Sequence, residues 1–179
     1  GISSPTMTAR HWPVNTPTPT ATVAPVQLAD FSTASALALL YAWRNATVAT
    51  TQVQLPDTGE TLTVVLSQAY WEDGQLRHMI VLSSDSDADG CHACGSPLSV
   101  AIFVWHDDTQ VWKSELIQSG FDALGSFGYP PEVVSLIQIG PRKYGLLFLH
   151  DNVSQGSLER YLYVYAPVSG TFRRVLEIQ

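Results

Sequence analysis

Charged side chains are scarce in this chain. Only 14% of its 179 residues are Asp, Glu, Lys or Arg, well below the roughly 25% that is usual for soluble domains. The charges are also unbalanced, with 16 acidic against 9 basic residues and a formal net charge of -7. This balance argues against a protein that neutralises phosphate groups, so we expect no nucleic acid among its partners.

Long hydrophobic runs are missing as well. No stretch approaches the roughly 20 apolar residues that cross a bilayer as a helix. The chain begins with Gly1 rather than Met, which is typical of a processed N-terminus, and we expect membrane attachment only through an N-terminal anchor that has been removed. The 45% hydrophobic content is nevertheless sufficient for one domain with a core.

The motifs of common enzymes are absent too. The sequence holds no Gly-x-Ser-x-Gly elbow, no phosphate-binding loop and no His-Glu-x-x-His helix. His106-Asp107 and His150-Asp151 are not local dyads, because consecutive residues of a strand point to opposite faces. We expect structural or surface roles for these histidines and for His78. An envelope hydrolase and a thiol redox enzyme are the catalytic alternatives.

Residues 1–27 differ in composition from the rest of the chain. They carry five prolines among many Ser and Thr residues. Because proline has no amide hydrogen and disfavours the helical conformation in the residue before it, this composition predicts an extended linker or tail. Such segments commonly space an extracytoplasmic domain from a membrane or cell surface. We therefore divide the chain into a tail, 1–27, and a single β-rich domain, 28–179.

The domain sequence predicts one helix followed by strands. Apolar residues recur at three- and four-residue intervals between Asp30 and Asn45, which predicts a packing helix. After Asn45 the period changes to two, and connections of hairpin type separate the apolar runs. The runs are 50–55, 61–71, 76–83, 99–106, 111–119, 133–139, 144–150, 158–166 and 171–178. We expect a mainly β (α+β) fold, built as an antiparallel meander, a barrel or a partial propeller of about eight or nine strands with one N-terminal packing helix.

An acidic loop gives the sharpest local signal. Asp85, Asp87 and Asp89 alternate ahead of Gly90, with the spacing of the first half of an EF-hand calcium loop. Carboxylates at alternate positions of a tight turn can converge on one hard cation. The twelfth position holds Ser96 instead of Glu, so the loop is not a complete EF-hand. We expect these three aspartates to bind calcium as a cofactor.

The calcium shell needs further ligands. We assign Cys91 and Asp107 to the metal site, with Asp108, Glu72 and Asp73 as further candidates to close it. The alternative is an acidic, solvated loop whose aspartates only cap turns. Clustered carboxylates repel one another without a cation, and this repulsion favours calcium.

Cys91 and Cys94 are the only two cysteines. A disulfide between them suits an oxidising compartment and would stiffen the acidic loop. A thioredoxin-like redox pair and a zinc site completed by two distant histidines are the alternatives. The redox pair is disfavoured because Gly95 and Pro97 follow where a helix would be needed. We therefore expect a structural disulfide.

Two aromatic features predict a partner-binding surface. Tyrosines alternate along one predicted strand, so they share one face of a sheet, where they either pack in the core or bind a sugar or protein. A glycine-containing connection, 120–129, carries three further aromatic side chains and fits a recognition loop. The candidate binding residues are Phe121, Phe127, Tyr129, Tyr161, Tyr163 and Tyr165.

Four segments of the second half of the chain, 89–103, 125–128, 138–145 and 163–167, carry a family resemblance. Through them, roughly residues 85–178 resemble a group of uncharacterised bacterial exported proteins and lipoproteins. In style the chain is also similar to periplasmic lysozyme inhibitors and to immunity lipoproteins that neutralise cell-wall hydrolases.

The resemblance implies an exported, disulfide-bearing domain without an assigned activity. We therefore expect an extracytoplasmic binding or accessory domain, in the periplasm or at the cell surface, that is stabilised by calcium and contacts a protein or another cell-envelope component. Besides the enzyme alternatives, a structural subunit of a surface assembly is a further hypothesis.

Overall fold

The computed structural model describes residues 31–41, 47–48, 51–56, 58–84, 94–131, 133–154 and 157–179. These residues form one helix, α1 (Thr33–Tyr41), and ten strands. The strands are β1 (Thr47–Val48), β2 (Gln52–Gln54), β3 (Thr61–Glu72), β4 (Gln75–Ser84), β5 (Ser96–His106), β6 (Val111–Leu124), β7 (Val133–Gly140), β8 (Lys143–Ser154), β9 (Ser157–Val168) and β10 (Thr171–Ile178). The predicted mainly β fold is confirmed, and the predicted tail lies outside the described residues.

The strands form two antiparallel sheets that follow the order of the chain. The first sheet has the order β1-β2-β3-β4-β5-β6 and the second the order β10-β9-β8-β7. Each strand pairs with its neighbours in sequence, except at the break between β6 and β7. Among the described strands neither sheet closes on itself, so the antiparallel meander is the architecture observed.

Tight turns join the hairpins, as their residue types predict. Asp73 and Gly74, between β3 and β4, have φ values of 50° and 78°. Ser169 and Gly170 repeat this arrangement between β9 and β10, with φ values of 52° and 79°. Two successive left-handed residues match the right-handed twist of the flanking strands, which explains why these sequences form two-residue hairpins.

The helix and the two sheets pack as three layers, with the first sheet in the middle. Ile80 and Leu82 of β4 contact the cluster under α1, whereas Met79 and Val81 belong to the cluster between the sheets. All four side chains are at most 2% exposed. Helix α1 is shorter than the predicted segment 30–45, whose remaining residues, apart from 31 and 32, lie outside the described part of the chain.

Gln118 of β6 joins the two sheets at one seam. Its side-chain nitrogen donates a hydrogen bond to the carbonyl oxygen of Phe172 on β10, at 3.0 Å. Its side-chain oxygen accepts one from the amide of the same residue, at 2.7 Å. The Gln118 amide therefore reproduces the paired hydrogen bonds of neighbouring antiparallel strands.

A buried ion pair joins the sheets at a second seam. Glu72, at the end of β3, is 7% exposed, and its Oε2 lies 3.2 Å from Nε of Arg77. Its Oε1 accepts a hydrogen bond from the amide of Tyr144 on β8, at 3.1 Å. Arg77 also contacts the carboxylate of Glu115 on β6. One carboxylate thus connects the β3–β4 hairpin to the second sheet.

Candidate partner-binding surface

The tyrosines of β9 face into the protein. Tyr165 is 1% exposed and Tyr163 is 8% exposed, and both lie in the cluster between the sheets. The Tyr165 hydroxyl donates a hydrogen bond to Asp122, and burial together with this bond raises its pKa. The burial of Tyr163 and Tyr165 favours the packing alternative, and their assignment as partner-binding residues stays a prediction. Tyr161 is only half-buried and stacks on His150, with ring centroids 6.3 Å apart.

Phe121 also packs in the core, although the sequence predicts a loop over 120–129. Strand β6 runs into that segment through a bulge, in which three residues centred on Gly120 lie opposite the single Ser99. Gly120 has a φ of 57°, a conformation that glycine adopts without steric cost. The bulge directs Phe121 onto Phe172, with ring centroids 5.1 Å apart. Phe121 is half-buried against the core, which favours a packing role, and its assignment as a partner-binding residue stays a prediction.

The other two predicted aromatic residues stand on a tight loop, 125–131, which we name the aromatic loop. Phe127 is 49% exposed and Tyr129 is 73% exposed. The amide of Tyr129 donates to the carbonyl of Ser126 at 2.9 Å, which closes the turn. Phe127 has a φ of 55°, and bulky residues adopt this left-handed conformation rarely. Such conformations cluster at ligand-binding and switch segments.

Two backbone hydrogen bonds anchor the aromatic loop to the rest of the protein. The amide of Gly128 donates to the carbonyl of Cys94 at 2.7 Å. The amide of Gly125 donates to Nδ1 of His150 at 3.2 Å, so the neutral imidazole carries its proton on Nε2. Gly125 has a φ of 96°, and a Cβ there would lie 1.8 Å from the carbonyl oxygen of Tyr129. Only glycine fits this position.

The second sheet presents an apolar outer face. The side chains on β8, β9 and β10 that alternate with the buried ones point away from the first sheet. In register they form two rows across three strands. The rows are Leu149, Leu162 and Ile178, and Leu147, Val164 and Leu176, which together we name the outer patch. Leu176 is 47% exposed and Ile178 is 52% exposed, whereas Val164 on the middle strand is only 5% exposed; Leu147, Leu149 and Leu162 are half-buried. Helix α1 lies on the first sheet and does not cover this face.

The outer patch and the aromatic loop adjoin each other. A shallow cleft of about 120 Å³ is lined by Pro130 and Pro131 of the loop and by Leu149 of the patch. Arg160 lines the same cleft and pairs with both carboxylate oxygens of Asp151, at 2.7 and 2.8 Å. The result is one surface of apolar and aromatic side chains with a charged pair at its rim, a composition that is typical of protein interfaces.

The predicted calcium ligands are only partly within the described residues. Asp85, Asp87, Asp89 and Cys91 lie outside them. Asp107 is described, and its Oδ1 accepts a hydrogen bond from the indole nitrogen of Trp105 at 2.7 Å. It follows the far end of β5, an 11-residue strand of about 35 Å at 3.3 Å per residue. Ser84, the last described residue before the acidic loop, lies at the opposite end of the sheet. Because Asp85, Asp87 and Asp89 are outside the described residues, the assignment of Asp107 to their metal shell stays a prediction.

The other closing candidates share this position. Glu72, Asp73 and Asp108 lie at the same end of the first sheet as Asp107. Asp73 is paired with Lys143 at 2.5 Å, and this hydrogen bond lowers the pKa of its carboxyl group. Within the described ranges, no group of three or more His, Cys, Asp or Glu residues could hold a metal ion.

The predicted disulfide stays a prediction. Cys91 lies outside the described residues. Cys94 is half-buried at the start of the segment that leads into β5, and no free cysteine occurs in the part of the chain that the structure describes.

A buried polar network under α1 is a feature that sequence reasoning missed. Thr33 donates a hydrogen bond to Oγ of Ser67 at 2.7 Å, and Oγ of Ser67 forms a second hydrogen bond with Nε2 of His78 at 2.8 Å. His78 is 6% exposed, and burial lowers its pKa to about 4. Phe31 packs edge-on against its ring, with centroids 5.1 Å apart. No local motif signals this network, because its members stand on α1, β3 and β4.

No protein-family model, curated protein or solved structure matches this chain. The resemblance to exported bacterial proteins therefore stays a prediction. In the described ranges, no helix has both the length and the apolar character that crossing a membrane requires.

Proposed function

We propose that this chain is an extracytoplasmic binding domain whose outer patch and aromatic loop hold a partner protein. The outer patch is the observation that carries the proposal. Its six aliphatic side chains form two rows on the sheet face opposite the first sheet, and the two members on β10, Leu176 and Ile178, are about half exposed. Contiguous apolar surface of this kind is uncommon on soluble monomers and marks sites of association. The partner should present an apolar surface of its own.

The aromatic loop supports the same proposal from a second direction. Phe127 and Tyr129 are exposed on a backbone that Gly125 and the His150 ring hold in one conformation. A preorganised loop loses less conformational entropy when it binds. Aromatic side chains also supply large contact areas with few rotatable bonds, which is why they are enriched at interfaces.

Photo-crosslinking tests this function. A photoreactive phenylalanine analogue is placed at Ile178 in the outer patch, at Tyr129 in the aromatic loop, and at the exposed Lys113 of β6 as a matched control. We expect positions 178 and 129 to crosslink to the same envelope protein and position 113 to give no such product. Ile178→Glu should abolish the crosslink from position 129. An identical set of products from all three positions, or no product from 178 and 129, would refute the proposal.

Calcium and a disulfide belong to this proposal as stabilisers of the acidic segment. The carbonyl of Cys94 accepts a hydrogen bond from the amide of Gly128 in the aromatic loop. A disulfide between Cys91 and Cys94 would restrain Cys94 and, through this hydrogen bond, the aromatic loop. The alternation of Asp85, Asp87 and Asp89 supports the metal. A ligand that binds only the folded state raises the melting temperature, so calcium should raise it relative to chelator. Equal melting temperatures would rule the metal out.

A hydrolase is the second candidate, and the Ser67–His78 hydrogen bond is the observation that favours it. A serine hydroxyl 2.8 Å from an imidazole nitrogen lies within the distance that joins a nucleophile to its base. A fluorophosphonate probe should then label Ser67 in the wild type and fail to label the His78→Gln variant. An unlabelled wild type would leave the network a purely structural connection between α1 and the sheet.

A further inference from the structure

A second cleft lies on the helix-facing side of the first sheet, where the β3–β4 and β5–β6 connections come together. It has a volume of about 260 Å³, and we name it the Trp71 cleft. Its walls include the side chains of Trp71, Leu76, Trp105, Asp107 and Asp108. None of these residues belongs to the outer patch or to the aromatic loop.

Trp71 gives the cleft an exposed aromatic face. It is 62% exposed, although it stands on a regular strand. Trp71 on β3 lies opposite Leu76 on β4. Because Arg77 on β4 lies opposite Val104 on β5, Leu76 is next to Trp105, which continues the same row. A flat apolar row therefore lies along the floor of the cleft. Trp105 is only 5% exposed, so Trp71 is the ring that a ligand can stack on.

Fixed hydrogen-bond acceptors stand beside this ring. The indole nitrogen of Trp105 donates to Oδ1 of Asp107 at 2.7 Å, which orients the carboxylate. The side chain of Gln110 donates to the carbonyl of Asp107 at 2.9 Å and stiffens the loop. Asp108 follows with a side chain that is 77% exposed. An ionised carboxylate only accepts hydrogen bonds, so the cleft suits a ligand that is rich in donors.

The charge and shape of the cleft select among ligand classes. Two carboxylates in the wall and a net charge of -7 for the chain oppose anionic ligands. Organic cations are best held by cages of several aromatic rings, whereas Trp71 is the one open aromatic ring among the described residues that line this cleft. The volume lies slightly below the roughly 300 Å³ lower bound of typical ligand pockets, which suits one ring of a longer chain.

We propose that the Trp71 cleft binds a neutral oligosaccharide. One sugar ring stacks its apolar C–H face on the Trp71 indole, and its hydroxyls donate hydrogen bonds to the carboxylates of Asp107 and Asp108. The rest of the saccharide continues along the surface. This site is independent of the protein-binding surface, so the chain can contact glycan and protein at the same time.

Calorimetric titration of the full chain tests the site. The neutral probes are cellohexaose, chitohexaose and maltohexaose, and the contrasting probes are hexagalacturonate and tetramethylammonium chloride. We expect saturable binding of at least one neutral hexasaccharide at up to millimolar concentration. Trp71→Ala should weaken it at least about tenfold, equivalent to about 1.4 kcal/mol, and Asp107→Asn should weaken it severalfold. Tyr129→Ala removes an exposed aromatic ring elsewhere and should leave the affinity unchanged.

Several results would overturn the proposal. The first is that none of the three neutral probes gives a saturable binding heat, and the second is that Trp71→Ala binds as tightly as the wild type. The others are that hexagalacturonate binds more tightly than the neutral probes, or that tetramethylammonium is the only probe that binds. Circular dichroism checks that Trp71→Ala is folded, which we expect because the side chain is exposed. Loss of sugar binding in this variant with an unchanged crosslink from Ile178 would separate the two sites.

Discussion

Acidification should destabilise this protein through His78. Burial lowers the pKa of His78 to about 4 in the folded chain, from an ordinary value of 6.5. The unfolded state therefore binds the proton more tightly, and acid favours unfolding. The contribution of His78 to stability is fully present above pH 6.5 and is lost as the pH falls toward 4. Over this interval, at about 1.4 kcal/mol per pH unit, the loss amounts to about 3 kcal/mol.

The surroundings of His78 explain why its pKa is lowered rather than raised. The ring is 6% exposed, and its hydrogen-bond partner, Oγ of Ser67 at 2.8 Å from Nε2, is a neutral hydroxyl. Phe31 contacts the ring edge-on at 5.1 Å, and Trp112 approaches it in the same manner at 6.4 Å. These apolar contacts offer no compensation to a positive charge, and an uncompensated buried charge is costly.

Urea unfolding at pH 7 and pH 4.5 measures the effect in the wild type, His78→Gln and the surface control His106→Gln. The wild type should lose about 2 to 3 kcal/mol more than His78→Gln on acidification, because glutamine does not titrate. His106→Gln should lose as much as the wild type. Taking the difference between variants cancels contributions from other groups, including His150, whose pKa burial also lowers. Equal losses in the wild type and His78→Gln would refute the reasoning.

Two further predictions concern the seams between the sheets, both measured by urea unfolding at pH 7. Glu72→Ala should cost about 1 to 3 kcal/mol, because it leaves the amide of Tyr144 without its acceptor and removes one of the two carboxylates that contact Arg77. Glu115→Ala removes a 47% exposed partner and should cost less than about 1 kcal/mol. Equal losses would contradict this ranking. Gln118→Leu should cost about 1 to 3 kcal/mol, because it leaves the amide and carbonyl of Phe172 unpaired, and an unchanged unfolding midpoint would show that the seam does not depend on them.

Most of the strands could be predicted from the sequence. Each of the nine predicted runs overlaps one observed strand, and most of the observed strands are longer than the run that predicts them. The runs are recognisable because alternation and turn residues such as Asp73-Gly74 are local signals. The division into two sheets could not be predicted in this way. Connections within a sheet and between sheets carry the same residue types, and the break after β6 depends on long-range contacts such as that between Gln118 and Phe172.

The candidate site was harder to predict than the strands. Alternation of residue types along a strand shows which side chains share a face of the sheet, but not whether that face is buried. Tyr161, Tyr163 and Tyr165 do share one, but the sequence does not say which face is buried. The hydroxyl of Tyr165 can be buried because Asp122 accepts its hydrogen bond. Asp122 comes into range through the bulge at Gly120, a feature of strand register that no local pattern encodes.

The outward-facing side chains of β9 bear on function more directly than the buried tyrosines do. In a sandwich whose outer wall meets only water, polar side chains are expected opposite the buried tyrosines. Leu162 and Val164 stand there instead, in register with Leu176 and Ile178 on β10. Threonine has similar strand propensity to these residues and would expose less apolar surface. The core between the sheets does not use these four side chains, although Val164 is only 5% exposed. The proposed binding of an apolar partner would give the exposed Leu176 and Ile178 a role that packing between the sheets does not.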